Sequence, residues 1–263
     1  IAAKEFRDRM RNRWVLAVAL VFTVFSLVIA YFGGAQQGAV GFRSIEFTIA
    51  SLVSLVIYLI PLIALLLGFD AIVGERERGS LDLLLSLPIT RLELLLGKYL
   101  GLAAALALST LAGFGMVAVL LSRQMSWASM YHYFGFMLSS VLLGLAFLSL
   151  AVLLSVLARD RTRASGLAIA TWFFFVLVFD LLLLGVLVGS GGRFGGESFA
   201  LLLLLNPADV FRILNVFSLE DVRTLYGLAT VVPPAMGSPL KMGGAMLVWI
   251  AVPLALAHWR FKP

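Results

Sequence analysis

The chain is written in long apolar blocks separated by short charged ones. Residues 14–32, 48–69, 99–121, 133–157, 166–189 and 242–259 are apolar around every face of a helix, and the only carboxylate they contain is Asp180. Each block is long enough to cross a bilayer, which takes roughly 20 helical residues, and longer than the ~10–14 of an ordinary buried core helix. A spanning segment must satisfy its own backbone hydrogen bonds, so the pattern predicts an all-α membrane protein with six transmembrane helices.

Composition agrees. Of 263 residues, 62% are hydrophobic and 13% charged, and the mean hydropathy is +1.05; a soluble domain carries about 25% charged residues. Six spans leave too little chain for a second domain, so residues 1–263 read as a single transmembrane domain whose largest excursion is 190–241. There are no cysteines, which excludes disulfides, thiolate metal sites and cysteine nucleophiles. The basic stretch "KEFRDRMRNR" before the first block resembles the opening of a signal peptide. The apolar run after it is too long for one, and no small-residue cleavage site closes it, so it reads as the first span.

Most of the 20 Lys and Arg fall on one set of connections: Lys4 to Arg13, then Arg76, Arg78, Arg91 and Lys98, then Arg159, Arg161 and Arg163, then Arg260 and Lys262. By the positive-inside rule those connections, and with six spans both termini, are cytoplasmic. The net charge of +6 is then explained by topology and anionic lipid headgroups in the bilayer, and no nucleic-acid partner is expected.

The segment 74–98, "GERERGSLDLLLSLPITRLELLLGK", is more structured than a connecting turn needs to be. Glu75, Arg76, Glu77 and Arg78 leave the hydrocarbon together. Gly79 lets the chain turn, because it alone takes positive φ freely. Ser80 is placed to cap a short helix carrying Asp82, whose Leu81, Leu84 and Leu85 recur at helical spacing. Pro88 ends that helix by pushing Leu87 out of the α region. Thr90 and Glu93 form a capping box that starts the third span. The expected path is helix, bend, short helix, bend, helix, held at the cytoplasmic surface as a docking element.

These residues resemble those of the ABC-2 type permeases, the membrane subunits of one class of ABC transporters. "GFDAIVGERERGSLDLLLSLPITRLELLLGKYLG" matches the family's E-R-E-x-G-[ST]-x-[DE]-x-L-L-[ST]-x-P-[IV] core followed by G-K, through Glu75, Glu77, Gly79, Ser80, Asp82, Leu84, Leu85, Ser86, Pro88, Gly97 and Lys98. The resemblance implies that 74–98 is a cytoplasmic coupling helix docking on a separate ATPase subunit, that the N-terminal stretch is an interfacial helix, and that the six-span chain works as a homodimer in a bacterial inner (cytoplasmic) membrane. No G-x-x-x-x-G-K-[ST] phosphate loop occurs, so no cofactor is expected on this chain; ATP and Mg belong to the partner. "NPADVFR" (206–212), the compact size and the short C-terminal tail further resemble the permease of the nitrous oxide reductase maturation transporter. That implies a periplasmic β-helical protein and a copper chaperone as partners, and a task in copper-site assembly.

Other chemistries fit less well. An intramembrane protease needs a serine with a histidine base in reach, and His132 and His258 fall at opposite membrane edges. A proton-coupled secondary transporter would carry several buried charges and interrupted helices, and Asp180 alone is deep in a span. An ABC-2 exporter of a lipid, peptide or small molecule stays open. Asp180 is expected to line a pathway or gate, or to bond a Ser, Thr or Tyr on a neighbouring helix. In 190–241, Asn206 before Pro207 and the "SLED" at 218–221 are helix starts, predicting short periplasmic helices, partly re-entrant. Their Asn206, Asp209, Arg212, Glu220 and Asp221 would contact the outer partner. Met125, Met130, Met236, Met242 and His132 gather near the outer boundary; thioethers suit Cu(I), but methionine also fills gaps between helices, and no metal site is assigned.

Overall fold

The computed structural model describes residues 1–11, 13–32, 45–122, 127–190, 201–216 and 238–261. Every regular element among them is helical: α1 (Ala2–Arg11), α2 (Trp14–Phe32), α3 (Ile45–Gly68), α4 (Val73–Glu77), α5 (Ser80–Leu85), α6 (Arg91–Leu121), α7 (Trp127–Leu157), α8 (Arg161–Phe173), a π turn (Phe174–Val178), α9 (Phe179–Gly189), α10 (Pro207–Val216) and α11 (Pro239–Arg260). The runs containing α3, α6, α7, α8–α9 and α11 are long and apolar enough to cross a membrane, and α1 with α2, meeting at 63°, makes a sixth. The chain is therefore a multi-pass membrane protein.

The passes alternate in direction, and polar pins fix their relative depth. The Tyr133 hydroxyl donates to Phe114 O at 3.1 Å, the Tyr99 hydroxyl to Leu145 O at 3.2 Å, and the backbone N–H groups of Ile72 and Val73 donate to Ser155 Oγ at 2.9 and 3.0 Å. All the basic segments accordingly meet at one end of the bundle, here the basic end. The core is centred on α7, against which α3, α6 and α11 pack. Two-thirds of its apolar stretch (67%) is buried within the chain, against 11% for α8–α9, so α7 faces helices and α8–α9 runs along the outside.

Helix α6 is built to receive α1 and α2. Small residues stand at every fourth position along it: Gly97, Gly101, Ala105, Ser109 and Gly113. That spacing makes one smooth face on which backbones approach closely, the usual means of helix packing in lipid. A Cβ at Gly101 would lie 2.6 Å from Glu5 Cβ and 2.7 Å from Ala2 O, and one at Gly113 2.6 Å from Phe22 Cβ.

Helix α10 does not cross. Its start is tied through Asn206 Nδ2 to Phe175 O at 2.9 Å, and its end through Asn215 to Ser139 Oγ at 3.0 Å. At 1.5 Å per residue, Phe175 lies about 21 Å from the basic end of its helix and Ser139 about 27 Å from that of α7. The segment 201–216 is thus a finger held within the bundle, away from the basic end.

Replacing Gly101 with Leu should undock α1, since overpacking a close contact costs about 1–3 kcal/mol. Limited trypsin digestion of the detergent-solubilised protein should then cut faster within residues 4–13, while Ala104→Leu, on an exposed face of the same helix, should not. Equal digestion of both variants would place α1 elsewhere.

Candidate functional site

At the basic end the chain leaves α3, turns through 69–72 and forms α4 and α5 beyond the apolar stretch. Gly79 joins the two short helices with φ +68°, the left-handed conformation that made glycine the expected residue. Gly79, not Ser80, is the N-cap of α5. Ser80 sits inside the helix and its hydroxyl is spent on Glu75, donating to the backbone O at 3.2 Å and to the carboxylate. The Thr90–Glu93 capping box forms as the sequence reads: Glu93 N donates to Thr90 Oγ1 at 3.2 Å, and Thr90 N donates to Glu93 Oε2 at 2.7 Å.

The four charges of "ERER" divide between inward and outward roles. Glu75 turns inward and accepts from the buried Lys98 ammonium at 2.8 Å, and Lys98 also reaches Glu5 of α1 at 3.2 Å. Burial alone would raise the Glu75 pKa, but Lys98, Ser80 and Arg78 more than reverse that and hold the carboxyl at about 2. Arg76 donates to Ala158 O at 2.8 Å, and Glu77 accepts from the Arg161 backbone N–H at 2.7 Å. Asp70 takes Arg161 at 2.6 Å and Arg9 at 3.6 Å. Glu5, Asp8, Arg9, Asp70, Glu75, Arg78 and Lys98 line a polar cleft of about 260 Å³. The result is a latch that joins α1, α4, α6 and α8. Glu75 and Arg76, read from sequence as docking residues, are instead mostly committed to it, because a charge leaving the membrane beside other helix ends is best paired there.

What remains facing outward is the rim of α5 and the bend after it. Arg78, Asp82, Leu83, Ser86, Leu87 and Pro88 are exposed, Leu83 at 71% and Leu87 at 53%, while Leu81 is buried against the bundle. Four residues apart on a helix-and-turn, Leu83 and Leu87 make a small apolar knob flanked by Asp82 and Ser86.

A second polar cluster ties the finger to the outer half of α8–α9. Asn206 caps α10 as expected, its Oδ1 accepting from Ala208 N at 3.0 Å. Its Nδ2 group donates to Asp209 at 2.9 Å. Arg212 bridges Asp209 and Asp180, meeting Asp180 Oδ2 at 3.0 Å. Among the described residues Asp180 is thus ion-paired with Arg212, and it lies about 28 Å from the start of α8, toward the far end. Asn206 and Asp209 are each only 1% exposed and cannot form the expected outer contact: a buried carboxylate keeps its charge only if paired, and theirs is an internal network. Glu220 and Asp221 lie outside the described residues. Near the far end, His132, Ser139 and Asn215 border a largely apolar cavity of about 700 Å³. Met242 is 2% exposed and packs in the core, and Met125 and Met236 are outside the described residues.

Lys98, Asp70, Arg161 and Arg212 have structural roles that sequence reading missed. The available signals were a lysine inside an amphipathic helix start and an arginine three residues after Asp209 in an apolar neighbourhood.

Removing one partner of a buried pair costs about 3–5 kcal/mol, less where a side chain reaches solvent. Arg212→Leu should therefore lower thermal stability in detergent clearly, and adding Asp209→Asn should recover most of the loss. Non-recovery would mean that Arg212 does not neutralise Asp209.

Residues 1–263 match the family described as "ABC-2 family transporter protein". The chain is 46% identical over 271 aligned positions to "Probable ABC transporter permease protein NosY" of Stutzerimonas stutzeri, covering 100% of this chain and 96% of that protein. It is 47% identical over 269 positions to the protein of the same name from Pseudomonas aeruginosa, with the same coverage. A full-length match, joined to a multi-pass helical bundle with a structured segment between α3 and α6, means that the chain belongs to the ABC-2 family of transporter proteins.

Proposed function

We propose that this chain is the permease subunit of an ABC transporter and that the α5 rim receives the motion of a separate cytoplasmic ATPase. The observation that carries this is the exposed Leu83–Leu87 knob mounted on the Lys98 latch. A compact apolar contact hung on a rigid, ion-paired frame can pass a displacement into α1, α3, α6 and α8 together. In this reading the basic end is cytoplasmic, as the lysine and arginine distribution supports. ATP and Mg are held by the partner, and the permease itself binds no cofactor. Two copies form a homodimer in the bacterial inner membrane.

The finer reading follows the identity to the two NosY permeases and the resemblance to the nitrous oxide reductase maturation transporter. The ATP-driven change works on a periplasmic β-helical protein, with a copper chaperone, during assembly of the reductase's copper sites. The outer partner is assigned to the segment holding Glu220 and Asp221, since Asn206 and Asp209 are internal.

Burying a leucine is worth about 1.5–3 kcal/mol, so Leu83→Asp and Leu87→Asp should each weaken ATPase binding about tenfold or more. The double variant should insert normally and lose the co-purifying ATPase. A full complement of ATPase with unchanged ATP turnover would remove α5 as the docking element.

A further inference from the structure

The run Arg161–Gly189 is held unlike any other pass. It has 11% of its apolar stretch buried, against 22% for the run on α11 and 50–67% for those on α3, α6 and α7, and its apolar packing is confined to a few side chains such as Ala168, Phe175, Val176 and Leu183. Polar pins add to these. At the basic end the Arg161 side chain meets Asp70 at 2.6 Å and the Arg161 backbone N–H meets Glu77 at 2.7 Å, both within or beside the segment that carries α5. Midway, Trp172 Nε1 donates to Tyr58 O at 2.9 Å. Just beyond it, in the middle of the run, Phe175 O accepts from Asn206, and further on Asp180 meets Arg212, both partners lying on the finger. One helix therefore touches the α5 frame at its start and the finger from its middle to Asp180.

Between the middle pin and Asp180 lies the π turn, Phe174–Val178. A π turn holds one residue more than an α turn and recurs at functional sites. Were the same chain to run as an uninterrupted α-helix, every residue beyond the turn would rotate by about 100° and advance about 1.5 Å. Asp180 would then swing away from Arg212. The π register is the one in which Asp180 and Arg212 meet.

We infer that α8–α9 is the strut that carries displacement of the α5 frame to the finger, and that the π turn is the joint where its register, and with it the Asp180–Arg212 link, is set. This rests on the coupling reading above and adds the route by which motion crosses the membrane. A helix is stiff lengthwise, because its backbone hydrogen bonds run along its axis, so a few directional contacts suffice to couple its two halves to their neighbours.

The test uses the full permease–ATPase complex in nanodiscs. The chain has no cysteines, so an environment-sensitive fluorophore can be placed singly at Thr162→Cys, at the strut's start, or at Leu205→Cys, on the exposed tip of the finger. A non-hydrolysable ATP analogue should shift both signals in the otherwise native chain. Deleting Leu177 closes the π turn while leaving Asp180 facing Arg212, so it should keep both shifts, whereas inserting one alanine after Val178 turns Asp180 away by about 100° and should lose most of the shift at Leu205→Cys while sparing that at Thr162→Cys. Asp180→Leu should do the same by cutting the link, and Asp180→Asn, which can still accept from Arg212, should keep both. A response at Leu205→Cys that survives the insertion undiminished overturns the joint; one that also survives Asp180→Leu overturns the strut. A native complex responding at Thr162→Cys but not at Leu205→Cys overturns the strut and leaves the coupling reading intact, whereas silence at both positions overturns the coupling reading itself.

Discussion

Lys98 is the residue around which the basic end is assembled. Its ammonium is almost wholly buried, with 7% of the side chain exposed. An ion in that position is tolerated only with partners that repay its lost hydration. The two it finds come from different parts of the chain: Glu5 on the N-terminal helix and Glu75 on the connection between the second and third passes. That single requirement fixes α1 across α6 and draws Glu75 inward, while Leu83 of α5 faces outward. Gly97 and Gly101 complete the arrangement, since only a residue without a side chain lets α1 come close enough for Glu5 to reach Lys98.

What was legible in the sequence was local. The apolar blocks announced the passes because lipid requires an unbroken helix. Thr90 and Glu93 announced the start of α6, and Asn206 with Pro207 that of α10, because a cap is made by residues three or fewer apart. Gly79 announced its turn because few other residues take positive φ. The reading of Ser80 as cap failed narrowly. The preceding glycine already ended the turn, and Glu75, five residues back, competed successfully for the hydroxyl.

What was not legible was long-range pairing. Lys98 meets partners 23 and 93 residues away, Asp70 meets Arg161 across 91, and Asp180 meets Arg212 across 32. No periodicity encodes such distances. Glu75 and Asp209 look alike in sequence to solvated acids at a surface; their burial is set by which helices converge on them. Asp180 and Arg212 were the most recoverable pair, since an acid within an apolar block must seek an opposite charge and an arginine in the neighbouring segment can supply it. The two clusters, one at the start of α8–α9 and one from its middle to Asp180, turn a sparsely buried outer helix into a defined connection.

The role of α5 as a docking rim can be tested by shielding. Ser86→Cys, exposed between the two knob leucines, introduces one thiol into a chain that has none. In inside-out membrane vesicles it should react with an impermeant maleimide when the permease is expressed alone and become protected when the ATPase subunit is bound. Labelling unchanged by the bound ATPase, or seen only from the opposite face of the membrane, would contradict a cytoplasmic docking site at α5.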